Sequence, residues 1–174
     1  MLDSKNTAQI LALADALRKN DSWCGETHLQ KAMFFLRERC EVPLDFEFVL
    51  YKHGPYSFDF HDSLSVLFAH GLIENESQPP YGPRIKLTES GINFLAAHQA
   101  DLDDGQEKIQ TVARWFGSKG VMDLEKLATA LWTRKHFPDA DDQKRAEEIH
   151  EIKPHVSMDQ AMTALQQLDQ MQEA

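Results

Sequence analysis

Leu72-Ile73-Glu74, Pro79-Pro80-Tyr81-Gly82-Pro83 and Arg84-Ile85-Lys86-Leu87, running into Thr88-Glu89-Ser90-Gly91, decide how this chain folds. Leu72–Glu74 begins a strand. Pro79, Pro80, Gly82 and Pro83 make a stiff loop, because proline fixes φ and glycine tolerates turn geometry. Arg84 to Leu87 alternates in character and returns as a second strand. Thr88 stands where a cap is needed for a helix that carries Ile92, Leu95 and Ala96. The stretch reads as a β-hairpin that leads straight into a helix.

Upstream, Ile10, Leu13, Ala14 and Leu17 share one helical face, which predicts a helix over 7–19 that ends at Asn20-Asp21-Ser22. Thr27-x-x-Gln30 reads as a capping box for a second helix over 27–40, with Leu29, Ala32, Met33, Leu36 and Cys40 as its stripe. Phe34 and Phe35 widen that face, so the helix is expected to be buried on more than one side. Pro43 stops it. Phe46, Phe48 and Leu50 alternate as a short strand, and His53-Gly54-Pro55-Tyr56 reads as a turn. Ser57 caps a third helix over 57–70, whose inner face is Phe60, Leu64, Leu67 and Phe68 and which Gly71 ends.

Downstream, Asp101, Asp103 and Asp104 form an acidic hinge. Asp104-x-x-Glu107 reads as a capping box for a helix lined by Ile109, Val112, Ala113 and Phe116. Asp123 starts the next helix, with Leu124, Leu127, Ala128 and Leu131. A short helix over 143–152 follows, and Ser157-x-x-Gln160 caps the last one.

The order helix, helix, strand, helix, strand, loop, strand is that of a winged helix. The expected fold class is therefore mainly α (α+β). A winged-helix-like N-terminal domain over 1–100, with a small β-hairpin wing, precedes a helical C-terminal region over 104–174. Leu87-Thr88-Glu89-Ser90-Gly91 is similar to the Leu-Thr-x-x-Gly with which many winged-helix regulators close the wing.

Residues 28–98 resemble the YwgA-like proteins and, more distantly, the SocA-antitoxin-like (Panacea) domain. Three stretches carry the resemblance. They are His28-Leu29-Gln30-Lys31-Ala32-Met33-Phe34-Phe35-Leu36, then Phe48-Val49-Leu50-Tyr51-Lys52-His53-Gly54-Pro55-Tyr56-Ser57, then Tyr81-Gly82-Pro83-Arg84 through Gly91. The Tyr-Lys-His-Gly-Pro-Tyr-Ser string is the most specific of them. The resemblance implies a non-catalytic protein associated with toxin–antitoxin modules, proteolytic adaptors, mobile elements or phage defence.

The bulk composition limits the function classes. The 174 residues carry a formal net charge of −10. Both halves are acidic, with −4 over residues 1–98 and −6 over residues 99–174. Nucleic-acid binding draws most of its affinity from cations on phosphates. The third helix, where groove reading would occur, has Asp59 and Asp62 and neither Lys nor Arg. Specific nucleic-acid binding is therefore not expected. Cys24 and Cys40 lie about 20 Å apart if a helix separates them, too far for a disulfide, and are expected as free thiols. No signal peptide or membrane-length apolar run is present, so a cytoplasmic location is expected.

No catalytic, metal or cofactor motif emerges. His150 and His155 are five residues apart with Pro154 between them, whereas a helical zinc pair needs a spacing of four. Gly117-Ser118-Lys119-Gly120 lacks the full glycine-rich phosphate loop and reads as a helix end. No metal site, no cofactor and no catalytic residue are expected.

What remains is a partner-binding reading. Lys52, His53, Tyr56, Tyr81 and Arg84 mix aromatics with positive charge, and a winged helix would bring the 52–56 turn and the wing loop towards one face. An acidic or phosphorylated protein partner would complement that set. Replacing Tyr81 and Arg84 is expected to weaken partner binding with little effect on stability. The Met-containing stripe of the last helix either packs inside the molecule or offers a homodimer contact through the C-terminal helices. The function read from the sequence is a non-enzymatic interaction module, an antitoxin, adaptor or accessory factor. The alternative is a DNA-binding winged-helix transcriptional regulator.

Overall fold

The computed structural model describes residues 2–171. The chain folds into a mainly helical α+β structure with two small antiparallel hairpins. Helices α1 (Ser4–Lys19) and α2 (Glu26–Glu38) come first, then the hairpin β1 (Val49–Tyr51) and β2 (Gly54–Tyr56). Helix α3 (Phe58–Ala69) leads to the second hairpin, β3 (Ile73–Glu76) and β4 (Arg84–Leu87), and to α4 (Glu89–Ala97). A short 3-10 turn at Gln99–Leu102 precedes α5 (Gly105–Phe116), α6 (Val121–His136), α7 (Asp142–Ile152) and α8 (Met158–Gln170).

Several caps form as the sequence predicts. The Ser57, Thr88 and Ser157 hydroxyls accept from the N–H groups of Phe60, Gly91 and Gln160. Others do not. Helix α2 starts after Gly25 rather than at Thr27, and Gln30 turns inwards instead of completing a box. Its amide donates to Ser57 O at 3.0 Å and accepts from Ser57 N at 2.9 Å. Asp104 makes no capping bond. A buried backbone pair elsewhere in the fold is a stronger claim on a side-chain amide than its own helix end.

The strands also depart from expectation. Phe46 and Phe48 are buried in extended chain, but pairing begins only at Val49. The 53–56 segment is a turn whose far end is itself a strand, with Val49 opposite Tyr56 and Tyr51 opposite Gly54. Gly54 takes φ +94°, which only glycine adopts cheaply, and a side chain there would meet Thr129 Oγ1 at 3.2 Å. The first hairpin stands apart from the second as a separate two-stranded sheet, rather than adding a third strand to it. In the second, Ile73 faces Leu87 and Glu76 faces Arg84, and Ile85 N donates to Cys24 O at 2.8 Å.

The core runs without a break through both halves of the chain. Helix α5 packs on α1 and α2, and α6 packs on α2 and β2. Phe35 meets Phe116 edge-on at 5.3 Å, and Phe34 lies 6.2 Å from Trp132. Helix α8 buries Ala161, Ala164, Leu165 and Leu168 and packs on α6 and α7. The chain thus presents one body against which both hairpins are fixed.

Candidate interaction surface

Ser57 fixes the first element of the surface. It is buried, caps α3, and is gripped by Gln30, so Tyr56 and Phe58 are held on either side of a rigid bend. Tyr51 from the paired strand completes a triangle of rings. Tyr51–Phe58 is 5.4 Å, Tyr56–Phe58 is 5.1 Å and Tyr51–Tyr56 is 5.7 Å between centroids. These rings satisfy one another, yet Tyr51 is 55% exposed and Phe58 53% exposed.

Glu26, in the first turn of α2, ties this triangle to a second feature. The Tyr56 hydroxyl donates to Glu26 Oε1 at 3.1 Å, and His61 Nδ1 lies 2.7 Å from the same oxygen. Burial first, then Glu26, pushes the Tyr56 hydroxyl up to about 12. The hydrogen bond to Glu26 holds His61 above its usual range.

On the other side of Glu26 lies a groove of about 560 Å³, walled by Trp23, His28, Tyr81, Pro83 and Val121. Trp23 Nε1 donates to Gly82 O at 3.0 Å, which straps the β3–β4 loop down. Tyr81 meets Trp23 edge-on at 5.2 Å and is 69% exposed. Arg84 stacks 4.9 Å from the Trp23 ring and donates to Trp23 O at 3.0 Å and Ser22 O at 3.2 Å.

No family model matches the chain, and no curated protein matches it either.

The five residues singled out from the sequence divide between two places. Tyr56 and Tyr81 flank Glu26 on the aromatic surface. Arg84 is half-buried, with its charge spent on two carbonyls, on the Trp23 ring and on Glu76 at 3.9 Å. The expectation that Arg84 is dispensable for stability is therefore corrected, because it joins the second hairpin to the segment after α1. Lys52 and His53 lie at the far tip of the first hairpin and face α6 and α7 instead. His53 Nδ1 is 3.9 Å from Glu125 Oε2. Lys153 Nζ donates to Tyr51 O at 3.0 Å and Lys52 O at 2.5 Å.

That tip covers a buried charged cluster. Glu125 is 6% exposed and lies 3.5 Å from Lys153 Nζ and 3.3 Å from His155 Nε2. Buried Lys31 donates to Pro55 O at 2.9 Å. Burial lowers the Lys31 ammonium to about 8, against the pull of Glu125. Lys31, Gly54, Pro55, Glu125 and Lys153 thus act as a latch that holds the hairpin on α6 and α7.

Trp23, Glu26, Tyr51 and Phe58 escape the sequence reading. Phe58 has the clearest signal, since it falls outside the Phe60, Leu64, Leu67 stripe of its own helix. Trp23 has none, because its partners lie about sixty residues further on. Among the described residues, no group of three or more His, Cys, Asp or Glu side chains could hold a metal ion, and no helix is long and apolar enough to cross a membrane.

Proposed function

We propose that this protein is a non-enzymatic protein-interaction module, an antitoxin, adaptor or accessory factor of a mobile-element or phage-defence system, and that it docks its partner on the aromatic surface around Glu26. The observation that carries this reading is the Tyr51–Tyr56–Phe58 triangle, fixed in place yet half open to solvent. Clustered exposed aromatics mark interaction sites, and rigid Tyr and Trp rings contribute much of the energy at protein interfaces. The defence or antitoxin setting rests on the resemblance carried by the Tyr51–Ser57 and Leu87–Gly91 strings. A cytoplasmic location fits two buried free thiols.

Charge favours a protein over DNA. The wing cations Arg84 and Lys86 are both paired with acids, Lys86 with Glu74 at 3.2 Å and Glu76 at 3.8 Å. The outer face of α3 carries exposed Asp59 and Asp62. Capture from native host cells tests the proposal, using wild type and a Tyr51→Ala/Phe58→Ala variant side by side. A partner held by wild type and lost by the variant supports it. A gel shift at about 150 mM salt with affinity near the 10⁻⁸ M typical of specific DNA binders contradicts it.

A further inference from the structure

The first hairpin has one covered edge and one open edge. Strand β2 packs on α2 and α6, whereas β1 packs on β2. Leu50 stands opposite Pro55, which has no N–H to give. The bonded pairs are therefore Val49–Tyr56 and Tyr51–Gly54, and the backbone groups of Leu50 and Pro55 point out of the hairpin on opposite sides. On the β2 side, Lys31 Nζ donates to Pro55 O at 2.9 Å, and Gln30 holds both Ser57 N and Ser57 O. On the β1 side, the N–H and C=O of Leu50 have no hydrogen-bond partner among the described residues, and neither do those of Phe48, which face the same way along the extended chain. The open edge ends at Phe46 O, which accepts from Arg37 Nη1 at 2.6 Å.

Free strand edges are ordinarily guarded by charged or polar side chains. The second hairpin follows that rule. Its β3 shows exposed Glu74 and Asn75, and its β4 is occupied on the far side, where Ile85 N donates to Cys24 O. Strand β1 instead exposes Val49 and Tyr51, with exposed Phe58 packed on the Tyr51 ring. An open backbone edge beside exposed apolar side chains is what an added strand requires.

Charge indicates what that strand carries. Asp45 and Glu47 are exposed on the same side of the extended chain as Val49 and Tyr51, and α3 exposes Asp59 and Asp62 next to Phe58. None of these four acids forms an ion pair among the described residues. A cation opposite Glu47 would gain a cross-strand pair, and a guanidinium can also stack on the open rings. An acidic strand would meet these carboxylates with like charge. A second copy of the chain would bring another −10 and the same acids to the edge.

We infer that β1 receives an extended basic segment of a partner protein as an added antiparallel strand, with apolar side chains against Tyr51 and Val49 and Lys or Arg against Glu47 and Asp45. The inference rests on the docking role proposed above and names the conformation and charge of the partner at that site.

Fluorescence anisotropy tests it with a fluorescein-labelled, C-terminally amidated heptapeptide, Val-Thr-Val-Thr-Arg-Thr-Arg. Laid antiparallel, its valines oppose Tyr51 and Val49, its arginines oppose Glu47 and Asp45, and its first two threonines oppose Leu50 and Phe48. It binds the full chain with a Kd of about 1 mM or tighter, and the same peptide with Glu for Arg binds about tenfold or more weakly. Methylating the backbone nitrogens of those two threonines abolishes binding. Methylating those of the second valine and first arginine leaves it within about twofold, because these N–H groups point away from β1. Leu50→Pro deletes the outward N–H at an edge position where proline is tolerated, and weakens the Arg peptide several-fold. Asp45→Lys/Glu47→Lys reverses the preference between the Arg and Glu peptides. Thermal melts check that both variants are folded, and the methylated peptides carry the test alone if Leu50→Pro is not. No binding by the Arg peptide, equal loss with both methylated peptides, or an unchanged preference in folded Asp45→Lys/Glu47→Lys each overturn the inference. So does a dimer in analytical ultracentrifugation that Leu50→Pro dissolves, which would assign the edge to a second copy. The docking reading survives the first three results if Tyr51→Ala/Phe58→Ala still loses the captured partner.

Discussion

Lys31 illustrates at the residue scale what a buried charge does to stability. Its ammonium sits on Pro55 O inside the core, and burial lowers it from 10.5 to about 8. Below that value the folded chain carries a charged, desolvated lysine. As pH rises from about 8 towards 10.5 the folded state releases this proton while the unfolded state keeps it, so stability rises with pH. Cys24, whose thiol burial pushes from 9.0 up to about 12, opposes this only above about 9. The urea midpoint should therefore rise between about pH 8 and about pH 9, and Lys31→Met should flatten that rise. Nothing in the sequence separates Lys31 from a solvent-facing lysine, because the carbonyl that holds it is 24 residues away. Gly91 was open to reading, as the end of Leu-Thr-x-x-Gly, but its reason was not. An added Cβ there would lie 2.0 Å from Leu72 O, so Gly91→Ala should cost about 2 kcal/mol or more in urea unfolding, as overpacking against backbone does.

At the scale of elements, the long helices and the second hairpin were legible and the first hairpin was not. Helices α1, α3, α7 and α8 follow apolar periodicity and side-chain caps that lie close together in the chain. The first hairpin has strands of three residues, one with Pro55, too short for an alternating pattern. Its position is set by contacts more than seventy residues distant, to Glu125, Thr129 and Lys153. The surface was half legible for the same reason. Tyr56 and Tyr81 stood in recognisable strings, whereas Glu26, which joins them, looked like an ordinary first-turn acid. Removing the charge at the centre of the latch should release the hairpin. Glu125→Leu leaves Lys31 and Lys153 buried without an acid and should cost about 3–5 kcal/mol in chemical unfolding. Loss of less than about 1 kcal/mol would contradict the latch.

For the molecule as a whole, the continuous core fixes two separate hairpins, β2 against α2 and α6 and β4 against α1 and α4. The acidic charge is spread over both halves, and the cations of the second hairpin, Arg84 and Lys86, are paired internally. The rings of Tyr51, Phe58 and Tyr81 are left open to solvent. The most direct measurement is calorimetric titration of the captured partner against wild type, Phe58→Ala and the remote control Lys135→Ala. Phe58→Ala should weaken binding about tenfold or more while Lys135→Ala leaves it unchanged. Wild-type affinity in a folded Phe58→Ala/Tyr51→Ala variant would contradict it.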